Sequence, residues 1–134
     1  MATTTATLTL SSADLTGDVL ALSTTATLTK AGTSTGLDQT SGIGRKTTEA
    51  TAQYTLFDGT DYAAAKAHKV YIKNTSTVAD EYVTLSVNAE EIGRIYAGDW
   101  AFFPWSAADA DADIKLTPSV STVLTVEYAL IFEA

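Results

Sequence analysis

Hydrophobic and polar residues alternate with a period of two over much of the second half of the chain. In the final run, STVLTVEYALIFEA, Leu124, Val126, Tyr128, Leu130 and Phe132 fall on one face, with Thr125, Glu127 and Glu133 on the other. Such alternation predicts a strand with one face on a core. Ala129 and Ile131 make the second face partly apolar, so it is expected to meet a second sheet or a partner. EYVTLSVN repeats the pattern, with Val83, Leu85 and Val87 inward and Tyr82, Thr84, Ser86 and Asn88 outward. In HKVYIKN, Val70 and Ile72 oppose Lys69, Tyr71 and Lys73. DWAFFPW contains Pro104, which has no N–H for a ladder; it reads as an edge strand ending in a bulge, or as a loop closing one end of a sandwich.

The first half is less regular. Residues 3–10 alternate threonine with Ala6, Leu8 and Leu10, a short strand or an arm that adds one. Residues 11–18 read as a turn region with a single helical turn capped by Ser12. TATLTK echoes the earlier TATLTL and reads as a second outer strand rather than a duplication. Residues 31–46, AGTSTGLDQTSGIGRK, hold four glycines and predict a long loop, or an arm that orders on a neighbouring subunit. Gly42 and Gly44 do not make a phosphate loop, because the Lys-Ser/Thr pair and a preceding apolar strand are missing. A strand resumes with Ala52, Tyr54 and Leu56 on one face, followed by a turn at Asp58 and Gly59. Residues 61–69 are alanine-rich and predict two helical turns capped by Thr60 or Asp61. The turn NTSTVAD contains a formal glycosylation sequon at Asn74.

These elements predict an all-β fold: one jelly-roll-like β-sandwich of about eight strands, with at most one short helix near residues 61–67. Residues 1–50 supply threonine- and glycine-rich strands and an arm or long loop, and residues 51–134 the sandwich core, as one domain overall. For 134 residues, surface scaling gives a folded area of roughly 6,700 Å² against about 20,000 Å² unfolded, enough for a real core. The 24 threonines support the strand reading, since their β-branched side chains suit either face of a sheet.

A net charge of −8 argues against a general nucleic-acid binder. Arg45 with Lys46, and the group Lys66, Lys69 and Lys73, are the main positive clusters. There is no cysteine, so neither disulfides nor thiolate chemistry enter, which fits folding in a reducing cytoplasm. MATTTATLTLSS lacks the features of a signal peptide, and no run approaches 18 apolar residues, so no membrane span is expected.

Candidate chemistry is sparse. His68 is the single histidine and lacks a nucleophile or cysteine partner in any recognisable arrangement, so it reads as a solvent-facing or interface residue. One histidine without cysteine also cannot assemble a zinc site. Asp109, Asp111 and Asp113 alternate in ADADAD and raise the question of calcium, but Ile114 and Val120 stand where a calcium loop needs Gly and Glu. A solvated hairpin tip is the simpler reading, with a looser surface calcium site as the alternative. No catalytic residue, metal site or cofactor is expected. Trp100 and Phe102 should share one face of their strand and Ala101 and Phe103 the other. These aromatics, with Trp105, leave three uses open: core packing, subunit or capsid contact, and stacking on carbohydrate.

HKVYIKNTSTVADEYVTLSVN, IGRIYAGDWAFFPWSA and IKLTPSVSTVLTVEYALIFE together resemble stretches of small β-rich virion structural proteins of tailed bacteriophages, including those infecting cyanobacteria and other aquatic bacteria. The resemblance covers residues 52–134; residues 1–50 match only in style. It implies a non-enzymatic role in the virion, most like a capsid decoration (cement) protein that stabilises the shell. Head–tail connectors, tail-tube components and carbohydrate-binding tail modules are the alternatives. It also implies assembly in the host cytoplasm and a homotrimer contacting the major capsid protein, with no direct nucleic-acid or membrane partner. The residues expected at such contacts are Trp100, Phe102, Phe103, Trp105, Ala129, Ile131, Arg45 and Lys46.

Overall fold

A computed structural model describes residues 4–15, 17–28, 37–107 and 110–133. The described chain is all-β, with eleven strands in chain order: β1 (Thr5–Ser12), β2 (Leu20–Thr27), β3 (Gln39–Thr40), β4 (Gly44–Thr48), β5 (Tyr54–Phe57), β6 (His68–Asn74), β7 (Tyr82–Val87), β8 (Glu90–Tyr96), β9 (Trp100–Trp105), β10 (Ile114–Pro118) and β11 (Leu124–Phe132). Helix among the described residues is limited to single 3-10 turns at Gly59–Asp61 and Ala110–Ala112. The alanine-rich run after Asp61 is not helical. It makes a turn closed by the Lys66 N–H on the Ala63 carbonyl (3.0 Å), being too short to offset the cost of helix nucleation.

The strands form antiparallel sheets. One has the order β5-β10-β7-β8. In another, β3 and β4 both pair with β11, which is followed by β6 and β9. The third is the hairpin β1-β2. Inward-facing positions of the first two sheets meet in one apolar cluster, including Val70 and Ile72 of β6, Val83 and Leu85 of β7, Ile114 and Leu116 of β10, and Leu124, Val126 and Leu130 of β11. The predicted inward faces of β6, β7 and β11 are therefore largely those observed. Two bulges alter the detail. Pairing shifts between Leu85 and Ser86, which takes Ile92 of β8 out of register and leaves it exposed. A second shift beside Ile114 turns Phe57 into the core next to Leu56, where strict alternation would have turned it away.

The glycine-rich stretch read as a loop or arm does not stay free of the fold. Its residues 31–36 lie outside the described residues, but Leu37 is fully buried and β3 and β4 line one edge of the β11 sheet. Gly44 is there for space: a Cβ on it would stand 2.7 Å from Cζ of Tyr128. Between β3 and β4 the ladder is interrupted, and the Leu130 N–H donates to Oγ of Ser41 (2.8 Å) instead of to a strand carbonyl.

Asn74, the last residue of β6, is fully buried and fully engaged. Its amide donates to the carbonyls of Glu81 (3.2 Å) and Ile95 (3.1 Å), and its Oδ1 accepts from the Ser76 N–H (3.0 Å). Its backbone N–H donates to the Asp99 carbonyl, and its own carbonyl accepts from Gly98. Burial also means that the sequon at Asn74 offers no accessible amide for a glycan in the folded chain. Asn74→Ala strands two buried carbonyls, at about 1–3 kcal/mol for each unsatisfied group. We expect the urea-unfolding midpoint to fall by an amount equivalent to about 2–4 kcal/mol; a loss below about 0.5 kcal/mol, the usual surface effect, would show that the amide is dispensable.

Candidate interaction surface

The outer face of the β11 sheet gathers most of the residues singled out from sequence. Strand alternation sends Lys69, Tyr71 and Lys73 of β6 outward, beside Trp100, Phe102 and Pro104 of β9 and Glu127, Ala129 and Ile131 of β11. The aromatics of β9 divide between two environments. Trp100 is exposed and Phe102 half-buried, whereas Phe103 packs against the core. Trp105 is a core residue: it is buried, and its Nε1–H donates to the Ala112 carbonyl at 2.7 Å. In the folded chain Trp105 has almost no surface to offer a partner.

Phe102, Ala129 and Ile131 come together with Tyr71 and Ile43 around an open, apolar depression of about 430 Å³. Ile43 was not singled out from sequence, and the break between β3 and β4 is what turns it onto this face. A second groove, of about 450 Å³, lies between the hairpin and the sheet. Ala6, Leu8, Ala26 and Leu28 form one wall; Tyr71, Trp100, Phe102, Phe103 and Pro104 form the other. Beside these hollows, Arg45 pairs with Glu127 (3.1 Å), whose other oxygen accepts from the Tyr71 hydroxyl (3.4 Å). Burial first, and then the Glu127 charge, push the Tyr71 hydroxyl above its ordinary pKa. Lys46 turns to the other side of β4, with Nζ 5.7 Å from the Tyr54 ring centre. Arg45 and Lys46 are thus separated, one held by an ion pair and one over a ring.

The remaining candidates have structural occupations. His68 faces inward, not to solvent, and its ring lies 5.5 to 6.0 Å from those of Tyr62, Trp105 and Phe132. Burial lowers its pKa below 6.5, against the opposing effects of a hydrogen bond to the Lys66 backbone and the Glu133 charge. Asp113 is buried and accepts from the Gly59 N–H (2.8 Å), while its other oxygen faces Nζ of Lys115 at 3.6 Å. Asp111 is exposed, and Asp109 lies outside the described residues. Among the described residues, no three His, Asp or Glu side chains converge as metal ligands.

With this geometry in hand, comparison with known proteins adds no identity: no protein-family model matches the chain, and no curated protein matches it.

Two outcomes follow from these placements. Because His68 is held below its unfolded pKa, the unfolded chain takes up a proton first as the pH falls. Stability should be complete above pH 6.5 and decline below it, towards the folded-state value. Urea titrations across that window should show the decline in the natural chain and a flatter profile in His68→Phe. Equal slopes would remove His68 as the cause. In addition, β4 hydrogen bonds and the Glu127 pair should protect the bonds after Arg45 and Lys46 from trypsin in the free chain. Rapid cleavage at either site, read by mass spectrometry, would contradict the strand.

Proposed function

We propose that this chain is a non-enzymatic structural protein of a virion, most like a capsid decoration protein that stabilises the shell by contact with itself and with the major capsid protein. The observation that carries the reading is the concentration of uncovered apolar surface on one side of the fold. Trp100, Phe102, Ile43 and Ile131 line hollows with few polar groups, the makeup of a protein contact centre. A sugar site would need several directional polar partners, and among the described residues the groove offers Lys69 and the hydroxyls of Thr7, Thr24 and Tyr71 in a mainly apolar lining. The sequence resemblance to phage virion proteins supports the location, and a homotrimer is the assembly proposed with it.

The fold proposed for this role is a single jelly-roll sandwich made by β4 to β11. The strand order supports it. Counting from β4, one sheet places the first strand beside the eighth, then the third and the sixth. The other places the second beside the seventh, then the fourth and the fifth. That is jelly-roll order, an architecture used in capsid and lectin domains.

Cryo-electron microscopy of particles carrying this chain tests the role. Decoration requires its density on the outside of the capsid lattice. A ring on the tail axis would replace that reading with a connector or tube component, and a distal position on the tail would replace it with host recognition.

A further inference from the structure

We propose that the apolar face of the β1-β2 hairpin, centred on Leu10 and Leu22, is a self-association surface whose occupant is the same face of a second copy of this chain. The hairpin is amphipathic. Pairing of Leu10 with Leu22, Leu8 with Thr24 and Ser12 with Leu20 puts the leucines on one face. The opposite face is threonine and serine with Ala21, tied across the strands by the Thr7 and Thr25 hydroxyls at 2.8 Å. Near its base this leucine face looks across the groove at Trp100 and Phe102. Further out no described residue covers it: Leu10 is 48% exposed and Leu22 45%, with Leu15 and Val19 in the connecting loop each 72% exposed. A two-stranded ribbon is marginal in water unless its apolar face is packed.

Area and charge point to the same occupant. The chain exposes 7827 Å², against roughly 6,700 Å² for a compact monomer of its mass, an excess of about 1,100 Å². Summed over the whole chain, that excess leaves room for an interface of ordinary size, in which each partner gives up roughly 800 Å². The chain carries a net charge of −8, so most of its surface would repel a second copy. Neither hairpin strand contains a charged residue, so packing centred on Leu10 and Leu22 brings none into its middle and leaves Asp14 and Asp18 of the connecting loop at the rim; one face meeting itself closes as a pair.

The proposal deepens the assembling role above. Because it is tested on the free chain, its failure would leave the virion location to particle imaging. Sedimentation of the full chain at rising concentration should reach the mass of two chains, since a face that meets itself closes as a pair, or of six where such pairs join two of the trimers proposed above. Leu10→Glu combined with Leu22→Glu should sediment as a single chain while keeping a β-type circular dichroism spectrum. Val123→Ser, exposed in the loop before β11 and away from both hollows, should keep the assembly. Since the chain has no cysteine, Leu22→Cys gives a second readout that does not depend on the glutamate variant folding. A short bismaleimide should join its chains in pairs but leave Val78→Cys unjoined. A natural chain that stays single at every concentration, an unchanged oligomer in the Leu10/Leu22 variant, or no pairing at Leu22→Cys would overturn the proposal.

Discussion

Asn74 is a buried amide whose every bond reaches a part of the chain that could otherwise drift. β6 ends there, inside the β11 sheet, but its side chain holds Glu81 at the entrance to β7 and Ile95 of β8, both associated with the other sheet. The crossing from β8 to β9 passes through Gly98, which has φ of +82°, a conformation that strongly favours glycine. Asn74 grips that corner by its own backbone, donating to Asp99 and accepting from Gly98. An amide so placed costs desolvation unless every donor and acceptor finds a partner. Here they do, and the burial that makes the site costly also makes its geometry unique. A hydrophobic residue at position 74 would fill the space without telling β7, β8 and the corner where to stop.

The other end of the two packed sheets is closed by different chemistry. Phe57, Tyr62, His68, Trp105 and Phe132 pack mainly edge to face, with ring centres 5.5 to 6.4 Å apart. Two polar ties set their positions from behind: Trp105 donates to Ala112, and Asp113 accepts from Gly59. The one histidine and the aspartate closest to a metal motif are thereby absorbed into structure. Burial holds His68 towards its neutral form, which suits a ring among rings.

Where alternation was strong, sequence reading placed side chains correctly. Val70 and Ile72 as inward residues of β6, the shared face of Trp100 and Phe102, and the partly apolar second face of β11 at Ala129 and Ile131 could all be read directly. It failed where the backbone departs from period two or where tertiary contacts choose the structure. β8 reads EEIGRIY, and its bulge leaves only Ile95 buried, so the run carries no two-residue signal. β4 begins on Gly44 because Tyr128 needs the space there, a reason that exists only once β11 lies alongside. The alanine run after Asp61 has helical propensity but too few residues to use it. Asn74 gave one clue that was passed over: a polar residue at the inward position of a strand whose other inward positions are largely apolar.

The exposed apolar surface has a consistent geometry once the sheet edges are considered. β8 is an edge strand carrying Glu90, Glu91 and Arg94, and its bulge breaks the ladder a foreign strand would need. β9 is the facing edge and carries Pro104, which cannot donate to an added strand. On the opposite side the edge is split into β3 and β4 around Ser41, so it too lacks a long regular ladder. These are devices against edge-to-edge pairing. The faces are less protected: Leu10 and Leu22 on the hairpin pair only with each other and stand between uncharged neighbours, while Trp100, Phe102 and Ile131 remain open on the sheet beside Lys69, Lys73 and Glu127. Main-chain pairing tolerates many partner sequences, because its bonds come from backbone, whereas packing of side chains on a face demands matching shape. Obstructed edges at β8, β9 and β3 with β4, combined with open faces, therefore favour association by side-chain fit on that side of the fold, the mode that can restrict binding to particular protein surfaces.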